Sequence, residues 1–66
     1  MRVYRINAVG KDGRVIVLGT FDTASQAAAH IRDALGDYPR AWVTDERDLD
    51  VTLAELMRLA DDEKSS

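Results

Sequence analysis

Residues 2–18 read RVYRINAVGKDGRVIVL, and how this stretch turns back on itself decides the fold. From Arg2 to Val9 the chain alternates, with Tyr4, Ile6 and Ala8 on one side and Arg5 and Asn7 on the other. That period of two is the signature of a half-buried strand. Gly10-Lys11-Asp12-Gly13 then offers turn chemistry, and Arg14 to Leu18 forms a second strand rich in β-branched residues. Two registers compete. A two-residue Asp12-Gly13 turn sets Ala8 opposite Val17 and Ile6 opposite Gly19. A type I turn at Lys11-Asp12, with Gly13 as a left-handed bulge residue, pairs Ala8 with Ile16 and Ile6 with Leu18. A one-residue slip exchanges the faces of a strand, so burial selects the register. The bulged turn gathers Tyr4, Ile6, Ala8, Ile16 and Leu18 on one face and is the expected one.

Beyond the hairpin, Thr23-x-x-Gln26 is a capping-box pattern that opens a helix. Ala24, Ala28, Ile31 and Leu35 share one arc at 100° per residue, flanked by Ala27 and Ala34. Gly36 suits the position after the last turn, and Pro39 forbids continuation. Ala41 to Thr44 is a short third strand, followed by the polar turn Asp45-Glu46-Arg47-Asp48. Thr52 and Glu55 make a second capping box, with Val51 placed to staple onto Leu56. Leu53, Leu56, Met57 and Ala60 form the second helix's apolar stripe, widened by Leu59. Asp61, Asp62 and Glu63 oppose the helix dipole at its C-terminal end, so that end is expected to fray.

The expected fold is therefore α+β: a single small domain, ββαβα, with a three-stranded mixed sheet, two helices and the hairpin at the N-terminus. Residues 1–62 make the domain, and residues 63–66 are read as a disordered C-terminal tail. The four-residue apolar run Val15 to Leu18 suggests a central place for the second strand, in the order 1-2-3. If the second and third strands are parallel, the crossover between them is right-handed.

Composition narrows the function. The chain has 66 residues, no cysteine and one histidine, so disulfide staples and thiolate metal sites are out. No apolar run approaches the twenty or so residues that span a bilayer, and the N-terminus lacks the pattern of a signal peptide. A soluble, cytoplasmic protein is expected. Residues 1–20 carry Arg2, Arg5, Lys11 and Arg14 against Asp12 alone, whereas residues 21–66 hold five basic and eleven acidic residues. Such asymmetry marks either a nucleic-acid-facing end or two halves of one domain that attract each other.

Catalytic chemistry is poorly represented, and no enzyme activity is expected. His30 has Asp33 and Gln26 at helical spacing but no serine placed as a nucleophile. Asp45, Glu46, Asp48 and Asp50 precede a helix as a calcium loop's acids do, yet the glycine at the sixth position and the glutamate at the twelfth are missing. Gly10-Lys11-Asp12-Gly13 has two residues between its glycines where a phosphate loop needs four. No cofactor, metal or small-molecule ligand is expected, and no membrane contact.

The informative feature is the second strand's second apolar face. Val15 and Val17 point away from Ile16 and Leu18; Val3 and Val9 join them by alternation, and Trp42 can join from the third strand. Arg5 and Asn7 fall on the same face and dilute it. If both helices pack on the Tyr4–Ile6 face, this second face lies open, and apolar patches of a few hundred Å² mark interaction sites. Chains this small commonly recruit a staple or a partner. The leading expectation is a small non-enzymatic protein-binding or regulatory module. It would associate with itself as a homodimer, or dock on a partner, through Val3, Val15, Val17 and Trp42, with Arg5 orienting the contact at the rim. The alternative is a nucleic-acid-binding hairpin using Arg2, Arg5, Lys11 and Arg14, since a two-stranded ribbon can enter a major groove. A net charge of −3 counts against it.

Overall fold

The turn at Gly10–Gly13 closes as the bulged form. In the computed structural model, which describes residues 2–65, the Gly13 amide donates to the Gly10 carbonyl at 3.0 Å. The Gly10 amide donates in turn to the Arg14 carbonyl at 2.9 Å. Gly13 has φ +82°, a left-handed conformation that costs glycine nothing. The turn joins β1 (Tyr4–Val9) to β2 (Val15–Phe21) and sets Ala8 opposite Ile16, as the burial argument requires. Further along, the ladder slips by one. Ile6 faces Gly19 instead of Leu18, and Leu18 becomes the extra residue of a β-bulge. Gly19 has a packing reason to be there. A Cβ at that position would lie 3.0 Å from the Phe21 ring, which leans over the glycine and stacks on His30 with centroids 4.3 Å apart.

The remaining elements are α1 (Ala24–Asp37), β3 (Arg40–Thr44), β4 (Asp50–Val51) and α2 (Leu53–Ser65). The sheet has four strands rather than three, in the order β2-β1-β3-β4. It is antiparallel throughout, not mixed. β2 and β3 do run parallel to each other, but β1 lies between them, so the α1 connection crosses over β1. The apolar run in β2 suggests a central strand, yet β2 is an edge. The central strand is β1, which buries Tyr4, Ile6 and Ala8 on one face and Asn7 on the other. A continuous apolar run shows only that both faces tolerate apolar residues, and an exposed edge with a use for them satisfies that equally.

β4 follows from a second turn of the same design as the first. Asp48 donates its amide to the Asp45 carbonyl at 2.9 Å, and Asp45 donates to the Leu49 carbonyl at 3.0 Å. Asp48 takes the left-handed position with φ 65°, which aspartate tolerates better than most residues. The Asp45 carboxylate closes the loop by accepting from the amides of Arg47 at 2.9 Å and Leu49 at 3.0 Å.

Both helices lie on the Tyr4–Ile6 face. One core cluster joins Tyr4, Ile6 and Val43 of the sheet to Ala27, Ile31 and Ala34 of α1 and to Leu56 and Ala60 of α2. Four of the five buried residues of α1 are alanines, which lets the helix approach the sheet closely. Leu35, expected in the buried arc, is exposed, because the burial centres on Ala24, Ala27, Ile31 and Ala34. Both predicted N-caps form: the Gln26 amide donates to Thr23 Oγ1 at 3.2 Å and the Glu55 amide to Thr52 Oγ1 at 3.1 Å. Gly36 stays inside α1, and Tyr38, extended ahead of Pro39, ends it with its amide on the Ala34 carbonyl at 2.9 Å.

The C-terminal segment is a correction. Glu63 to Ser65, expected to be a disordered tail, continue α2, while Ser66 lies outside the described residues. Glu63 holds this end in place. Its carboxylate accepts from the amides of Ala24 at 2.7 Å and Ser25 at 3.0 Å, and from Ser25 Oγ at 3.0 Å, capping the first turn of α1 from another helix. These backbone donors lower the Glu63 pKa. A depressed carboxylate stabilises the fold above its unfolded value of about 4.3, and that contribution is lost as pH falls through the folded value. Glu63→Gln is therefore expected to melt below wild type at pH 7, with the gap closing under acid conditions. Thermal melts at the two pH values check this, and a gap that stays constant with pH would contradict it.

Candidate interface on the outer sheet face

With both helices on one side, the other side of the sheet is uncovered. Its composition follows from the strand registers. Asn7 of β1 stands between Val17 of β2 and Trp42 of β3. Val9 stands between Val15 and Arg40, and Arg5 between Thr20 and Thr44. Val15 is 61% exposed and Val17 57%, while Trp42 and Val9 are half-buried. A shallow depression of about 460 Å³ runs between Val9, Val15, Arg40 and Trp42.

Of the residues expected to bind a partner, the structure brings Val15, Val17 and Trp42 together on this face. Val3 stands apart. It precedes β1 at the end away from Val9 and Val15, is half-buried, and has its amide 3.5 Å from the Glu46 carboxylate. Val9, expected on this face together with Val3, does stand beside Val15. Arg5 lies at the rim, paired with Asp48 at 3.3 Å across the β3–β4 turn.

At the centre of the face Asn7 is buried, and its Nδ2 donates to Thr44 Oγ1 at 3.0 Å and to the Arg5 carbonyl at 3.3 Å. Alternation alone makes Asn7 a polar diluent of the face. Its burial is a consequence of β1 being central, flanked by strands on both sides. Its Nδ2 donor is satisfied internally, and the valines and Trp42 around it supply the apolar contact.

The four basic hairpin residues do not share a surface. Arg5 and Arg14 lie at opposite ends of β1's ladder, about 17 Å apart along the strand direction at ~3.4 Å per residue. Asp48 faces Arg5, and Asp12 lies 3.7 Å from Arg14. The Arg2 pKa is raised, chiefly by the adjacent Tyr4 and further by Glu46 and Glu55. Lys11 is exposed at the turn tip. The charge asymmetry of the sequence thus resolves, for Arg5 and Arg14, into local pairing with acids.

On the helix side an open polar groove of about 780 Å³ lies between the β3–β4 turn and α2, with Arg2, Tyr4, Glu46, Glu55 and Arg58 among its walls. Within it Arg58 binds Glu55 at 2.6 Å, which raises the arginine's pKa. The buried Tyr4 hydroxyl sits beside Arg2. Among the described residues no group of three or more histidine, aspartate or glutamate side chains is placed to hold a metal ion. No helix among them is long and apolar enough to cross a membrane. His30 is occupied in stacking on Phe21.

Comparison of the chain with protein-family models, with curated proteins and with solved structures finds no match.

Proposed function

We propose that this chain is a non-enzymatic protein-binding module whose contact surface is the outer face of its sheet. The observation that carries the reading is the one-sided helix packing, which leaves Val15 and Val17 exposed on the outer face beside the half-buried Val9 and Trp42. An apolar patch of this kind, with Arg5 and Arg40 at its margins, matches the organisation of protein interfaces, where an apolar centre is ringed by polar groups. Covering it offers a 66-residue domain stabilisation that its own core is too small to supply.

The test is binding of a purified partner, recovered with the full chain from cells that express it. Trp42→Lys on the outer face should lose binding, while Arg32→Glu on the exposed side of α1 should keep it, and the complex should resist rising salt. Loss on Arg32→Glu with retention on Trp42→Lys would overturn the reading. Nucleic-acid binding by the hairpin has less support, because Arg5 and Arg14 are separated and each faces an acid. Phosphate contacts lose affinity steeply with salt. The outer-face reading expects no salt-sensitive retention of duplex or single-stranded nucleic acid even in dilute buffer.

A further inference from the structure

β2 forms one edge of the sheet, and apart from the bulge at Leu18 nothing in the strand guards that edge. Edge strands present unpaired amides and carbonyls, and proteins protect them with charge, proline, bulges or brevity. The other edge, β4, is two residues long and begins with Asp50. β2 is seven residues long, VIVLGTF, with no charge and no proline. Its aliphatic residues are open on both faces of the sheet. Ile16 (39% exposed) and Leu18 (38%) add to Val15 and Val17, because α1 does not reach far enough over the strand to cover them.

The charges flanking this stretch identify its occupant. Arg14 precedes β2 and Asp22 follows it; both are exposed, and Arg14, although 3.7 Å from Asp12, is open enough to reach a second acid. Two such strands laid parallel would set Arg14 against Arg14 and Asp22 against Asp22. Laid antiparallel, they set Arg14 of each copy beside Asp22 of the other. We propose that β2 pairs edge to edge with β2 of a second copy of this chain, antiparallel, about a two-fold axis near Leu18. The contact is isologous, so each favourable charge pairing occurs twice. The Leu18 bulge falls near the axis and bends both strands there. The new ladder is then made by the regular stretches on either side, Val15–Val17 and Gly19–Phe21.

The pairing also enlarges the outer face. Four strands spaced ~4.8 Å apart and about five residues long span roughly 330 Å², well short of the ~800 Å² per partner of a standard interface. Two sheets joined at β2 double that surface. Because the contact uses the strand edge, it stands or falls separately from docking on the face.

The experiment is solution mass by light scattering on the full chain from micromolar to millimolar concentration. The samples are wild type, Arg14→Asp, Asp22→Arg, an equimolar mixture of those two variants, and Trp42→Lys, with circular dichroism to verify folding. Wild type should approach twice its 7.3 kDa mass. Each charge reversal should weaken association about tenfold, since two exposed ion pairs become two repulsions. The mixture should recover to within about threefold, because positions 14 and 22 carry opposite charges again wherever a copy of one variant meets a copy of the other. Trp42→Lys should leave self-association unchanged. Should Asp22→Arg disturb the start of α1, Arg14→Asp alone carries the test. A monomer at every concentration overturns the proposal. So does a dimer indifferent to both reversals, or one lost on Trp42→Lys, which would mean that the faces stack.

Discussion

Val17→Glu leaves the fold in place and reduces partner affinity by about a hundredfold or more. The side chain is 57% exposed, so the folded monomer tolerates a carboxylate there at a cost of about 1 kcal/mol or less, the span of β-propensity effects. In a contact that covers the outer face the same carboxylate loses its water. Val17 stands opposite Asn7, whose amide already donates to Thr44, and no arginine is paired with it across the ladder. An unpaired charge buried in such a place costs several kcal/mol, and each 1.4 kcal/mol is about tenfold in affinity. Far-UV circular dichroism beside a binding isotherm makes the measurement. Loss of the helical signal at the same time as binding would show Val17 to be part of the core.

The largest effect on stability is expected at Leu56. This leucine of α2 is fully buried in the cluster that joins α2 to α1 and to Tyr4 and Ile6. α1 contributes alanines to that cluster, apart from Ile31, so the larger side chains fill most of its volume. Leu56→Ala removes methyl groups and leaves a cavity, a change that costs about 3 kcal/mol. In a domain of this size that corresponds to a fall of about 15–20 °C in melting temperature, and it consumes most of the stability available. Met57→Ala, one position along on the exposed side, should shift the melting temperature by only a few degrees, because a surface substitution moves stability by about 0.5 kcal/mol. Similar melting for the two variants would mean that α2 does not dock as described.

How much of this was legible in the sequence differs from element to element. The first hairpin could be read because a glycine stands at the left-handed position and because only one register unites Tyr4, Ile6 and Ala8 with Ile16. The helix starts could be read because Thr23 and Thr52 cap through their own hydroxyls, a local interaction. The second hairpin could not. Its left-handed residue is Asp48 in place of glycine, and β4 has too few residues to show a period. Nor could the sheet order, which depends on long-range pairing: Ile6 meets Val43 across β1 and β3, 37 positions on. The bulge at Leu18 was hidden for another reason. The lean of Phe21 over Gly19 is a contact within one strand that no alternation pattern encodes.

For the candidate interface, alternation was enough to separate Val15 and Val17 from Ile16 and Leu18. The same alternation and the bulged turn put Val9 beside Val15, and the contact of the Val3 amide with Glu46 was needed to set Val3 apart. Glu63 shows the limit of local rules. A glutamate at a helix C-terminus is locally unfavourable, and only the approach of α1's first turn makes it a cap.

The central claim is that the outer sheet face, and not the helical side, meets a partner protein. The most direct measurement places a photo-crosslinking amino acid at position 42 in one version of the full chain and at position 57 in another, then irradiates living cells that express each. Trp42 lies on the outer face and Met57 on the exposed side of α2. The account predicts one discrete crosslinked protein product from position 42, absent from position 57 and lost when Val17→Glu is added. Products from position 57 alone, or the same product from both positions, would contradict it.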